Sequence, residues 1–408
     1  MNATSFVDTP QTSAFERPRA TGGTLAQHAV DVAVRCRPAR SETPGDWFDI
    51  IALPESRVAL AMGSVAGSGP PARAGIARLR EAVRDFSWAG LSPEELLGRL
   101  DDLATRWGEG PDIRVDCFRG ATCLYAIYDP VSRHCAVSRA GHRSPAVINP
   151  DGQVDFPDVP AGPPLGLGGG SFTAAEWEVP EGSQLVLYGH SLVQRRGKGA
   201  DAGFALLRRV LNGAAARQGV VGPEEICAAV FDALLPVRPG GAVALMVART
   251  HGMRPDQVAD WDVPAEPAAV ADLRAAVTRQ LAHWGLSDLV FTTELILSEL
   301  VQNAIRYTTG PIHLRLLCDD ALTCEVFDSS PAFPHLHEAS TMDEGGRGLF
   351  LVARLAERWG ARHTRAGKVI WTEQPLPQAQ PGVDEPPVGA AGHRSRGSRT
   401  GSCAPCPV

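Results

Sequence analysis

The sequence has no surplus of positive charge, no apolar run long enough to span a bilayer, and no even set of cysteines. Lys and Arg total 39 against 46 Asp and Glu, a formal charge of −7, so the basic footprint of a nucleic-acid-binding protein is missing and nucleic acid is excluded as a general partner. No apolar stretch approaches the roughly 18 residues a membrane helix needs. The start of the chain, with Asp8 and Glu16 among Thr and Pro residues, has no basic segment leading into an apolar one. The expectation is a cytoplasmic protein without a membrane partner. The nine cysteines are odd in number and scattered mostly through apolar segments, as at Cys36, Cys123, Cys227 and Cys324. They read as reduced core residues and not as a disulfide framework. Cys403 and Cys406 form a lone CxxC with no second pair and no histidine at zinc-site spacing.

At 408 residues with 44% hydrophobic content, the chain can bury two or three ordinary cores. Residues 1–28 are Thr-, Ser-, Pro- and Gly-rich without periodicity and read as disordered. From Ala29 to about residue 250, strands at Val30–Arg37, Trp47–Leu53, Val58–Met62, Thr122–Tyr128, Cys135–Ala140, Ala146–Ile148, Gln184–Tyr188 and Ala242–Ala248 mix with helices. One helix carries Ile76, Leu79, Val83 and Phe86; another opens on the capping box Ser92-Pro93-Glu94-Glu95, and a third on Gly222-Pro223. Residues 251–267 shift to Pro, Asp and Ala and read as a linker. A second domain at 268–374 begins with a helix ended by Gly285, followed by a helix capped by Ser287. Strands follow at Ile312–Leu317 and Leu322–Phe327, then a helix over Leu349–Trp359, then strands through Arg362 and Val369–Trp371. Residues 375–408 read as a disordered tail.

The second domain holds the chemically suggestive stretch. Glu299 and Asn303 lie four apart on a helix, which puts both on one face about 6 Å apart. Read alone, they could simply belong to a solvated stripe with Gln302 and Arg306. Asp328 ends a strand, where it could form an Asx turn or accept from the exocyclic amine of an adenine. Gly346 and Gly348 lead into a helix, where backbone N–H groups can meet phosphates. An amide oxygen such as that of Asn303 suits Mg²⁺ that keeps phosphate and water ligands.

The ordered set, Ser298 to Tyr307, Asp328-Ser329-Ser330, Gly345-Gly346-Arg347-Gly348-Leu349 and Ala356 to Gly360, resembles the ATP-binding domain shared by histidine kinases, gyrase and MutL. It is more similar still to the bacterial anti-sigma-factor serine kinases. The resemblance implies that Asn303 ligands Mg²⁺, Asp328 holds adenine, Gly346 and Gly348 form a lid over the phosphates, and Glu299 is the general base for a substrate serine. ATP and Mg²⁺ are the implied cofactors, and an anti-sigma-factor antagonist protein or a sigma factor the implied partner.

In the first domain, Gly45-Asp46-Trp47-Phe48-Asp49, Gly63 to Gly67, Ala140-Gly141-His142-Arg143-Ser144-Pro145, Pro163 to Leu167 and Leu185 to Tyr188 resemble the SpoIIE-type, metal-dependent (PPM) serine/threonine phosphatases. Such an enzyme needs several carboxylates around two divalent ions. Asp46 matches the first. The second falls on Ser64, the third on His190, and the fourth on Gly240 or Gly241. Ser and Gly bring no negative charge, and a lone imidazole prefers softer metals. Asp46 is therefore a vestigial ligand at most, His142 and His190 are loop histidines, and no manganese or magnesium centre is expected here.

The expected fold is α+β in two domains: a PPM-phosphatase-like β-sandwich flanked by helices, then a Bergerat-type α/β sandwich that binds ATP. The leading functional expectation is a partner-switching regulator with a serine kinase domain and a pseudophosphatase domain serving recognition, control or homodimer formation. Two alternatives stay open: an ATP-dependent binding module without phosphotransfer, and an active phosphatase with other ligands such as Asp49 and His190.

Overall fold

The structure is a computed structural model that describes residues 28–377, apart from 38–44, 68, 109–116, 194–198, 217–220, 236–242 and 331–346. The first half runs β1 (Val30–Arg37), β2 (Asp46–Ala52), β3 (Val58–Ser64), α1 (Gly69–Trp88), α2 (Pro93–Gly108), β4 (Thr122–Asp129), β5 (His134–Ala140), β6 (Ala146–Ile148), β7 (Val154–Asp155), β8 (Ala175–Glu178) and β9 (Gln184–Tyr188). It continues through α3 (His190–Val193), α4 (Gly199–Ala215), α5 (Pro223–Leu234) and β10 (Val243–Thr250). The second half holds β11 (Val258–Val263), α6 (Ala269–His283), α7 (Val290–Tyr307), β12 (Ile312–Cys318), β13 (Ala321–Asp328), α8 (Arg347–Leu355), β14 (Arg358–Thr364) and β15 (Gly367–Pro375).

Two antiparallel sheets, ordered β1-β10-β9-β6-β7 and β2-β3-β4-β5-β8, face each other across a core of Leu60, Met62, Leu124, Val137, Leu185, Leu187 and Met246. Both sheets are covered on their outer faces as well, which is why their central strands are apolar on both sides. On β3 the small Ala59 and Ala61 meet α1 and α2 through Leu79, Leu96 and Leu100, while Leu60 and Met62 point between the sheets. On the other sheet Val186 and Leu245 pack under Leu207, Leu211 and Val230 of α4 and α5. The capping box forms: Ser92 N donates to Glu95 Oε2 at 3.0 Å, and Glu95 N to Ser92 Oγ at 3.4 Å.

The second domain is one antiparallel sheet, β11-β12-β13-β15-β14, packed against helices through Leu273, Val277, Ile296, Leu300, Leu314, Leu316, Val326 and Ile370. No described helix is long and apolar enough to cross a membrane.

Several expectations need correction. The stretch read as a linker contains β11, whose Val263 pairs with Ile312. Its acidic residues are cross-strand partners, Asp260 receiving Arg315 Nε at 2.8 Å and Asp262 lying 3.0 Å from His313 Nδ1, so a strand is hidden behind linker-like composition. Ser287 does not cap α7; it opens a 3₁₀ turn, Ser287–Leu289, and Leu289 enters the helix in helical conformation with no side-chain cap. The helix expected to reach Trp359 stops at Leu355, because Glu357 N is taken by Glu373 O and the chain joins the sheet as β14. Cys36 is exposed, while Cys123, Cys227 and Cys324 are buried; β1 is a sheet edge, and its last turns have little to pack against. The two terminal segments read as disordered, the Cys403/Cys406 pair, Gly346, Gly240 and Gly241 lie outside the described residues.

Both sheet systems belong to one compact unit, Met1–Leu376, joined by a buried ionic cluster. The tight turn after β2 holds Glu55 and Ser56 at positive φ, 66° and 57°, and carries Glu55 to β13 and β14. Arg362 Nε donates to Glu55 Oε2 at 2.7 Å, Arg57 lies 3.3 Å from Oε1, and Arg362 also approaches Glu325 at 3.7 Å. Burial alone would raise Glu55, but Arg362 and Arg57 hold its carboxyl below the ordinary value. Burial and the Glu55 charge push Glu325 well up. Beside it, Arg358 stacks 4.9 Å over the Trp88 ring.

Candidate functional sites

On α7 the buried face is Thr293, Ile296, Leu297, Leu300, Val301 and Ala304. Glu299 and Asn303 sit at its margin, half-buried, while Gln302 and Arg306 are exposed. The four polar residues are therefore not one solvated stripe. Gly348 in the first turn of α8 stands against Glu299: a Cβ there would overlap Glu299 Oε2. That contact puts a carboxylate next to a helix N-terminus, at the one position of its first turn without a side chain. The Asn303 amide makes no side-chain hydrogen bond to a described residue.

Asp328 closes β13 and is 1% exposed. Its Oδ1 accepts from Ser330 N at 2.8 Å, the Asx turn that the residue order allowed. The same oxygen accepts from Lys368 Nζ at 2.8 Å. Lys368, 3% exposed, is the direct cross-strand partner of Asp328, and its Nζ also donates to Ser330 O at 3.3 Å. The neighbouring Ser329 hydroxyl lies 2.7 Å from Thr308 Oγ1, tying the end of β13 to the end of α7. Lys368 went unread in the sequence; the signal was an ammonium directly after Gly367 and before the apolar run Val369-Ile370-Trp371.

In the sandwich, Asp46 starts β2 opposite Ser64. It faces between the sheets: its Oδ2 accepts from Ala244 N of β10 at 3.2 Å. Gly189 lies so close that a Cβ there would collide with the carboxylate. Oδ1 has no partner, and burial pushes the Asp46 carboxyl up to about 7 despite bonds from Ala244 N and the Ser191 hydroxyl. Ser64 is spent locally, its N and Oγ each 3.1 Å from Thr122 Oγ1.

The other candidate ligands point elsewhere. Asp49 is three residues along a strand and so lies on the opposite face, where Arg80 and Arg84 of α1 donate to its Oδ1 at 3.3 and 2.9 Å. His190 is exposed. His142 is 5% exposed, its Nδ1 3.1 Å from Arg143 O; since a carbonyl only accepts, that nitrogen carries the proton. Burial lowers the ring to about 4. Among the described residues, Asp46 belongs to no group of three or more His, Cys, Asp or Glu side chains with ligand atoms within 4.8 Å; the one such group is His28, Asp319 and Asp320.

Residues 54–251 match the family described as Stage II sporulation protein E (SpoIIE), and residues 263–373 match the histidine kinase-like ATPase domain. The chain joins a SpoIIE-type domain to a histidine kinase-like ATPase domain. Among solved structures, the RsbU and RsbW domains of a Mycobacterium tuberculosis protein are 21% identical, covering 85% of this chain and 95% of that one with a TM-score of 0.49. RsbX in complex with magnesium is 16% identical over 54% of this chain and 96% of its own, TM-score 0.42. The PP2C phosphatase domain with a regulatory fragment of SpoIIE from Bacillus subtilis is 12% identical over 56% and 66%, TM-score 0.41. Within this chain, the ATPase domain carries Glu299, Gly348, Asp328 and Lys368 on connected elements, whereas in the SpoIIE-type domain Asp46 joins no group of three or more candidate ligand side chains among the described residues.

Proposed function

We propose that this chain is a cytosolic partner-switching regulator whose ATPase domain binds Mg²⁺-ATP and phosphorylates a serine of an anti-sigma-factor antagonist, while its SpoIIE-type domain is a pseudophosphatase that recognises or controls. The observation that carries the reading is the contrast between the two sites: Glu299 and Asn303 on α7 beside the Gly348 turn, against an Asp46 whose neighbours are Ser64, Gly189 and Ala244. The residues fit a nucleotide. Gly348 lets the α8 turn close on the Glu299 carboxylate, the Asn303 amide makes no side-chain hydrogen bond to a described residue, and neither bond described for Asp328 uses its Oδ2. Mg²⁺, when bound through Asn303 and the phosphates, supplies charge neutralisation for phosphoryl transfer. Glu299 takes the proton of the substrate serine as its oxygen attacks the γ-phosphorus and ADP leaves.

One observation favours a second reading, in which nucleotide only shapes a partner-binding surface. The Glu299 carboxylate already abuts the α8 N-terminus, where it can serve as a helix-dipole partner instead of a base. Labelled ATP with Mg²⁺ and candidate antagonist proteins separates the two. The kinase reading expects transfer that Glu299→Gln abolishes while nucleotide binding persists. Nucleotide binding without transfer to any antagonist would leave the binding-module reading standing in its place.

A further inference from the structure

The buried Lys368–Asp328 pair lies where the ATPase domain would meet the base of its nucleotide, and nothing in an ATP site built on one aspartate requires a lysine there. An ammonium has three N–H donors. Two go to Asp328 Oδ1 at 2.8 Å and Ser330 O at 3.3 Å, and no acceptor for the third is found among the described residues. On the other side of the pair, Oδ1 accepts from both Lys368 and Ser330 N, and neither bond uses Oδ2. The end of β13 thus offers one donor and one acceptor side by side, with Asp328 and Lys368 fixed by direct cross-strand register and 1% and 3% exposed.

That pattern complements one purine edge. Adenine presents a donor, its C6 amine, next to an acceptor, N1. Guanine reverses the order, with O6 facing the carboxylate and N1–H facing the ammonium. A buried ion pair is costly to form from water, and the Asx turn at Asp328 already has its partner in Ser330 N, so the lysine is not needed for that turn.

We infer that Lys368 is a base-reading residue, donating to N1 of adenine while Asp328 accepts from the C6 amine, and that the pair together selects adenine over guanine nucleotides. This rests on the reading that the domain binds ATP. Asp328 alone would require the amine and ignore N1; with Lys368 the site requires both.

Calorimetric titration of the full chain with ATP, 1-deaza-ATP (N1 replaced by C–H) and GTP tests this. The wild-type chain is expected to bind 1-deaza-ATP at least about tenfold more weakly than ATP, because a hydrogen bond from a charged donor is lost, and GTP more weakly still. Lys368→Met should bind ATP and 1-deaza-ATP alike. Lys368→Gln, which keeps an N–H donor, should restore part of the preference and provides a folded control should the Met variant fail to fold. Equal wild-type affinity for ATP and 1-deaza-ATP overturns the inference and leaves ATP binding intact, as does a preference that survives in Lys368→Met. A chain that binds none of the three nucleotides overturns the ATP reading and the role of Lys368 with it.

Discussion

Asp46 and Asp328 are both buried aspartates at strand ends, one in each domain, and they differ in what surrounds them. Asp328 has an ammonium 2.8 Å away and a backbone N–H on the same oxygen. Asp46 has one backbone N–H, a serine hydroxyl, and an Oδ1 with no partner. A carboxylate in low dielectric keeps its charge only if something matches it. The ATPase domain supplies that match from its own chain. Among the described residues of the SpoIIE-type domain no cation pairs with Asp46, and burial drives its carboxyl up to about 7.

Five substitutions probe this contrast. The largest effect is expected from Asp328→Ala, which strands the Lys368 ammonium in the core. Removing one partner of a buried pair costs about 3–5 kcal/mol, and chemical denaturation should read that loss together with complete loss of nucleotide binding. Next is Glu55→Ala at the junction between the domains, which leaves Arg362 partly buried without its main counter-ion. A loss of about 3 kcal/mol is expected, whereas Glu325→Gln, which removes the like charge beside Glu55 and keeps a polar group, should cost under about 1 kcal/mol. Because the Glu325 value is raised in the folded state, its contribution is present at low pH and is lost as pH rises through that value.

Asp46→Asn should act in the opposite direction. Its folded value is raised from 3.8 to about 7, so burial costs nothing extra below about pH 3.8, and the penalty grows as pH rises from there and is complete above about 7. The variant should therefore be more stable than wild type by up to roughly 4 kcal/mol at pH 8, with the gain shrinking as pH falls below about 7 and vanishing below about pH 4. A loss of stability at pH 8 would mean that the carboxylate has a partner of its own. The smallest effect on folding is expected from Gly348→Ala, roughly 0.5–1 kcal/mol. Its Cβ would displace Glu299 from the α8 turn, so phosphotransfer should fall far more than stability does.

Much of this was readable in the residues, for physical reasons that also explain the gaps. Apolar runs placed β3, β4 and β10 within a residue or two, because both faces of those strands are buried, and alternation placed β1, an edge strand with Asp31 and Cys36 exposed. The capping box at Ser92 and the Pro at the start of α5 marked two helices by their chemistry. The strand β11 stayed hidden because its stability comes from cross-strand pairs of Asp260 with Arg315 and Asp262 with His313, and a single strand does not reveal its partner. The same reason concealed Lys368: its meaning lies in register with Asp328, forty residues earlier. Glu55 looked like a turn residue, and it is one, but its side chain reaches another domain. For Asp49, strand parity alone already set it on the face away from Asp46; the arginines of α1 give the reason it is retained there.

The proposed function places the chemistry of this chain on α7 and not at Asp46. Calorimetric titration of Mg²⁺-ATP into the full chain, run on wild type, Asn303→Ala and Asp46→Asn in parallel, tests it most directly. The account expects one Mg²⁺-dependent ATP per chain, lost in Asn303→Ala and unchanged in Asp46→Asn. Binding that survives Asn303→Ala, or that disappears in Asp46→Asn, would contradict it.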